Sequence, residues 1–214
     1  MHGDVASTPR SSAEVRVDTA ARTAAGDDFG HLVHHTSRIV VFPRSADDVA
    51  AAIREAGPLS ARVAAQGRRH SVWGRSQVRD GIVIDMSTLA EIGSVEADRV
   101  TVGAGATWSD VLAATLPAGL TPPVLPDYLG LSVGGTLAVG GVGGTTSTFG
   151  LVSDTVTELE VVTGRGELLT CSPARNADLF DADRAGLGQC GVITRARCAV
   201  SRRRESRTIA ARVG

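Results

Sequence analysis

Lysine is absent: all 22 basic residues of the 214-residue chain are arginine. A Schiff base to pyridoxal phosphate or to a carbonyl substrate needs an amine nucleophile, and a Walker A loop needs its lysine, so these chemistries are excluded. The accompanying Arg, Ala and Gly bias is that of a GC-rich bacterial genome. Cysteine is scarce: Cys171, Cys190 and Cys198 show no CxxC spacing, and any one pairing would leave a thiol over. Neither a metal site nor a disulfide framework is indicated, and a reducing cytoplasm is the compartment expected. No apolar run approaches the length of a membrane span, and the first 27 residues hold no signal-peptide core. A net charge of −1 provides no field to steer nucleic acid. Neither a nucleic-acid partner nor a membrane is expected.

What is present is an ordinary globular composition, 43% hydrophobic and 21% charged. A chain of this length suits one large domain or two intimate subdomains and buries roughly 70% of its unfolded surface. Residues 1–27 carry Ala, Ser, Thr and charge without periodicity and read as a mobile leader. Arg38 to Phe42 is a β-branched strand, and Ser45 with Asp48 forms a capping box for a helix whose Val49, Ala52, Ile53 and Ala56 share a face. Gly57 and Pro58 stop it. A strand at Arg62 to Ala65 completes a βαβ unit, followed by a loop from Gln66 and a strand at Ile82 to Asp85. A hairpin across Glu96 to Arg99 leads into Val100 to Val102, and Thr107 with Asp110 caps a second helix through about Leu116. From Thr121 to Gly150, three prolines and eight glycines exclude a regular element. The interleaved Leu131, Val133, Leu137, Val139 and Val142 argue against a linker and for backbone that approaches a ligand closely. Strands resume at Thr155 to Thr163, Leu168 to Cys171 and Val192 to Val200.

Three motifs mislead. Gly186 to Gly191 spells GxGxxG, but a Rossmann loop follows a strand and opens a helix, whereas here polar residues precede and a strand follows. Gly130 to Gly134 spells the GxSxG nucleophile elbow around Ser132, yet no histidine occurs after His70 to serve as its base. His31, His34 and His35 have metal-like spacing without a completing ligand set, which favours a surface or packing role. His70 stands in a more informative setting, QGRRHSVWG, between two strands.

That loop, the strand IVIDMSTL, the string TPPVLPDYLGLSVGGTLAVGGVGG and the segments LEVVTGRGELLTCSP and AGLGQCGVITRA together resemble the FAD-binding domain of cytokinin dehydrogenases and their bacterial relatives, in the vanillyl-alcohol oxidase superfamily. The likeness runs from about Phe29 to Val200. It implies an α+β, PCMH-type FAD-binding domain of two α+β subdomains, about residues 28–103 and 104–200, that clamp an extended FAD, followed by a basic tail at 201–214. His70 and Ser71 match the end of the family's RGxGHS loop, so the resemblance implies a covalent bond from His70 to the flavin. Gly67, Arg68 and Arg69 would offer backbone amides to the pyrophosphate as a nest. Asp127 matches the family's base for the substrate's amine proton and also its cofactor contact; on residues alone it reads rather as an ordinary turn Asp after Pro126. Ser132, Gly135, Ala138 and Val142 fall along the flavin, and Val192 near the adenine end.

Two departures from the pattern carry consequences. Gln66 and Arg69 replace the family's Arg and second Gly; a positive φ at Arg69 would cost about 1–3 kcal/mol, offset if its guanidinium pairs with the pyrophosphate. Arg75 stands in place of a Gln, and DADRAGLG is more polar than usual. Family members also continue through a cap that shapes the substrate pocket. The expectation is therefore hydride transfer from the amine- or alcohol-bearing carbon of a small molecule, with oxygen or a quinone as electron acceptor. The alternative is a flavin-binding module, or half of a split enzyme, without turnover of its own, a second chain supplying the substrate domain.

Overall fold

The computed structural model describes residues 12–202. Among the described residues there are eleven strands and six α-helices; nine of the strands form two main sheets, and the other two pair with each other. In chain order they begin with β1 (Glu14–Arg16), α1 (Thr19–Ala25), β2 (Ile39–Phe42), α2 (Ala46–Ala56), β3 (Val63–Gln66) and β4 (Ile82–Asp85). There follow β5 (Ile92–Val95), β6 (Arg99–Gly103), α3 (Trp108–Thr115), β7 (Leu120–Thr121), α4 (Val133–Val139) and α5 (Thr146–Phe149). The last are β8 (Val156–Thr163), β9 (Leu168–Cys171), α6 (Ala177–Asp183), β10 (Gly191–Ala199) and β11 (Ser201–Arg202).

The first sheet has the order β1-β2-β4-β3, and the second, antiparallel throughout, β5-β6-β10-β8-β9. β2 and β3 run parallel to β4, which lies between them, so the βαβ unit spans one intervening strand. Helix α2 lies between the sheets, against β4 on one side and β8, β9 and β10 on the other. Its contact face is Val49, Ala50, Ala52 and Ala56, all buried, and the alanines permit close approach to both sheets. Ser45 Oγ accepts the Asp48 N–H as the capping signal requires, while the Asp48 carboxylate turns to the Arg44 and Ser12 N–H groups. Val41 and Ile84 from one sheet and Val102, Leu159, Val161 and Ile193 from the other meet in one core. Among the described residues no helix is long and apolar enough to cross a membrane.

Three expectations need correction. The leader is structured from Ser12 onward: β1 pairs antiparallel with β2, and α1 is capped by Asp18, whose carboxylate accepts the Ala21 N–H at 3.0 Å. Edge pairing, rather than local propensity, orders this segment; residues 1–11 lie outside those described. The subdomain boundary falls before β5, not at 103/104, because β6 pairs with β10 from the far end of the chain. The stretch from Thr121 to Gly150 does contain regular structure, α4 and the short α5. Glycine is a poor helix former, but α4 is held from outside: the Val133 and Gly134 N–H groups donate to Ala106 and Ala104 carbonyls, each at 2.8 Å. Of the basic tail, Ser201 and Arg202 pair with β7, and residues 203–214 lie outside those described.

Candidate functional site

Between the two sheets opens a cleft of about 1080 Å³, walled by β3 and the loop after it, the Pro126–Tyr128 turn, α4, and the loop that enters β10. The volume is at the upper end of small-molecule sites. All eleven residues singled out from the sequence line it. Gly67, Arg68, Arg69, His70 and Ser71 come from the loop after β3, Asp127 from the turn, Ser132, Gly135 and Ala138 from α4 and its N-cap, Val142 from the glycine run, and Val192 from β10.

The chain is drawn together here by an absence of side chains. A Cβ at Gly67 would collide with Ser132 Oγ, one at Gly135 would lie 2.9 Å from that oxygen, and one at Gly134 would lie 2.7 Å from Ala104 Cβ. Ser132, the serine of the elbow-like string, is thus a buried N-cap wedged between two glycines, 3% exposed. Behind it, the fully buried Trp108 donates from Nε1 to Thr136 Oγ1 at 2.9 Å, and the Thr136 hydroxyl donates to the Ser132 carbonyl at 2.9 Å. This relay ties α3 to α4 and fixes the wall facing Gly67.

At one end of the cleft the His70 imidazole is sandwiched, stacked on Phe29 at 4.1 Å between ring centroids and tilted against Tyr128 at 5.0 Å. Partial burial pushes its pKa below the ordinary 6.5, which favours the neutral, nucleophilic imidazole. Asp127, next to Tyr128, is exposed at the same end. Arg69 does adopt the left-handed conformation, φ +61°, but its Nη1 donates to the Ala24 carbonyl at 2.7 Å. The Gln66 amide nitrogen likewise donates to the Ala25 carbonyl at 2.9 Å. The two departures in this loop thus dock on the C-terminal carbonyls of α1.

The GxGxxG-like string also faces the cleft, through Leu187 to Gly191, but it follows a helix and precedes a strand, the reverse of Rossmann order. His31 and His34 both pair with Asp27, at 2.7 and 3.3 Å, and among the described residues no three metal-binding side chains cluster. Sequence reasoning missed Phe29, Tyr128 and Asp183. Tyr128 is the only tyrosine of the chain, and the polarity of the DADRA segment was the signal for Asp183. Asp183 lines the cleft at 2% exposure, and its Oδ2 is buried without a hydrogen-bond partner.

Comparison with known proteins agrees with this geometry. A family model described as FAD binding domain matches residues 37–172, and the chain belongs to that family. It is 46% identical over 189 residues to an uncharacterized oxidoreductase of the fasciation locus of Rhodococcoides fascians, covering 88% of this chain and 43% of that protein. To cytokinin dehydrogenase 10 of Oryza sativa subsp. japonica it is 46% identical over 195 residues, covering 86% of this chain and 36% of that one. A crystal structure of 6-hydroxy-D-nicotine oxidase from Arthrobacter nicotinovorans superposes with a TM-score of 0.81 at 24% identity, covering 92% of this chain and 44% of that one. The fold is therefore the PCMH-type FAD-binding fold, and the chain spans about two fifths of the length of the relatives it matches.

Proposed function

We propose that this domain holds FAD extended along the cleft, with the flavin ring at the His70 end, and that in the complete protein it serves the oxidation of a small molecule at an amine- or alcohol-bearing carbon. The residues fit the cofactor: Gly67 abuts Ser132 where any side chain would collide with it, and an unpaired buried carboxylate oxygen stands in the wall. FAD held there would supply a two-electron acceptor for a hydride donor, with oxygen or a quinone as the final electron acceptor. The protein's part is orientation and proton handling. His70, neutral and held between two rings, would be the residue that anchors the cofactor, and Asp127 at the same end would accept the substrate's amine proton. The observation that carries this reading is the convergence of the His70 sandwich and Asp127 at one end of a cleft large enough for a dinucleotide.

Intact-mass measurement after reconstitution with FAD tests the tether. An adduct is expected in the parent and absent from His70→Ala, whose fold is retained because the side chain fills no core; an adduct that persists in the variant would place the anchor elsewhere.

A second reading, a flavin module that does not turn over alone, is favoured by the open cleft. Tyr128, Val139 and Val142 line it yet stand 56%, 55% and 68% exposed. Positioning the donor carbon contributes roughly 7–11 kcal/mol of barrier lowering, and an open face positions poorly. A second chain, or further polypeptide, covering these side chains would complete the pocket. Steady-state oxidation of a cytokinin with a dye acceptor separates the two: turnover on the order of 10 s⁻¹ by the isolated chain would show it to be a complete catalyst. The unpaired thiols of Cys171, Cys190 and Cys198 suit the cytoplasm, where we place the protein.

A further inference from the structure

Asp183 is the least expected group in the cleft. It closes α6, is 2% exposed, and presents Oδ2 without a hydrogen-bond partner. Native folds leave few buried polar atoms in that condition, and an unpaired carboxylate oxygen opposes folding. Among the described residues no ion pair reaches it. The adjacent Arg184 directs Nη1 to the Ser153 carbonyl at 3.3 Å and Nη2 to Asp181 at 2.7 Å, with the guanidinium 4.4 Å over the Phe180 ring and Nε buried without a hydrogen-bond partner. The groups facing Asp183 are the Gly191 N–H at the start of β10 and the buried Cys171 thiol of β9, itself pushed up to about 11 by burial and by the Asp183 charge.

The position of Asp183 along the cleft follows from α4. Gly67, which leads to His70, abuts Ser132 at the N-cap of α4. The loop after Asp183 is fastened to the opposite end of that helix, the Ala185 N–H donating to the Leu137 carbonyl at 2.9 Å and the Leu187 N–H to that of Ala138 at 2.7 Å. A seven-residue helix is about 10 Å long. Asp183 therefore stands a helix length from the His70 loop, with Gly191 beside its Oδ2.

We propose that Asp183 is a binding residue for the adenosine half of the dinucleotide, its Oδ2 accepting a hydrogen bond from a ribose hydroxyl or from the adenine amine. The inference rests on the reading that the cleft holds FAD with its flavin at the His70 end. Negative charge excludes the pyrophosphate from this spot and leaves those neutral donors as the groups that satisfy the oxygen. The chain thereby keeps an unfavourable buried carboxylate because the cofactor, rather than the fold, completes it.

Reversible binding is measured in the His70→Ala background by flavin fluorescence for FAD and FMN, and by competition for ADP. Asp183→Asn keeps the size and turns an N–H toward the ligand's donor. FAD and ADP are expected to bind about tenfold weaker or more, as losing a charged hydrogen bond implies, with FMN unchanged and circular dichroism unaltered. Equal FAD affinity with and without the substitution, or an equal loss for FMN, overturns the proposal. A second arm needs no variant at this position: ADP is compared with its analogue lacking both ribose hydroxyls and with inosine diphosphate. One of these must bind about tenfold weaker for a hydrogen bond of this kind, and two affinities equal to that of ADP overturn it. If the protein without any Asp183 substitution fails to bind FAD, the FAD reading itself falls, a result distinct from equal binding by both proteins.

Discussion

Replacing Asp183 by Asn should stabilise the cofactor-free protein at neutral pH, and the size of the gain follows from the site. Burial pushes the carboxyl up from its ordinary 3.8 to about 6, against a smaller downward pull from the Gly191 N–H. An acid with a raised folded pKa binds more protons folded than unfolded between those two values. Its effect is therefore smallest below about pH 4, and stability is lost as pH rises through the window, the full cost standing above about pH 6. At about 1.4 kcal/mol for each pH unit, that cost is on the order of 3 kcal/mol. For a domain of this size it corresponds to roughly 6–12 °C in Tm. Carboxylates held low by ion pairs or caps, Asp18, Asp80, Asp98 and Asp110, lose their contribution as pH falls, but they are common to both proteins and cancel in the difference. Thermal melts in matched buffers should show Asp183→Asn above the parent by about that margin near pH 7.5, and the two curves converging near pH 4. A variant no more stable than the parent at neutral pH would refute the reasoning, and so would a difference that does not change with pH. Either would mean that the carboxylate is satisfied within the protein.

Other substitutions probe the walls of the cleft. Gly134→Ala pushes α4 against Ala104, 2.7 Å from the new Cβ, and should cost about 1–3 kcal/mol in urea denaturation, as overpacking does. Thr136→Val leaves the buried Trp108 indole N–H without its acceptor and should cost about 1–3 kcal/mol by the same measurement. Arg69→Ala keeps the left-handed backbone and loses the bond to Ala24, whereas Arg69→Gly loses the bond and relieves the backbone; the glycine variant should be the more stable of the two by about 1 kcal/mol. Asp127→Asn, measured where the substrate pocket is complete, should lower amine oxidation by about 10²–10⁴ without releasing flavin. Equal rates across the neutral and alkaline range would count against a base role.

The sequence by itself determined the elements whose signals are local. The β-branched run at β2, the Ser45 and Thr107 caps of α2 and α3, the apolar run of β4 and the turn between β8 and β9 each lie within a few residues of the structure they specify. The residues of the cleft were legible mainly through the likeness to the FAD-binding domain, whose motifs around His70, Asp127 and Ser132 are contiguous; on residues alone only the His70 loop and the glycine-rich stretch pointed to a ligand. Tertiary structure alone decided what depends on partners distant in sequence. Glu14–Arg16 becomes a strand because β2 offers an open edge, β6 joins the second sheet because β10 arrives beside it, and a glycine-rich segment becomes α4 because Ala104 and Ala106 accept its first N–H groups. Asp183 shows the limit most plainly. In sequence it is one more polar residue near a helix end; only packing against Cys171 and Gly191 buries the carboxyl, and burial is what makes its charge costly.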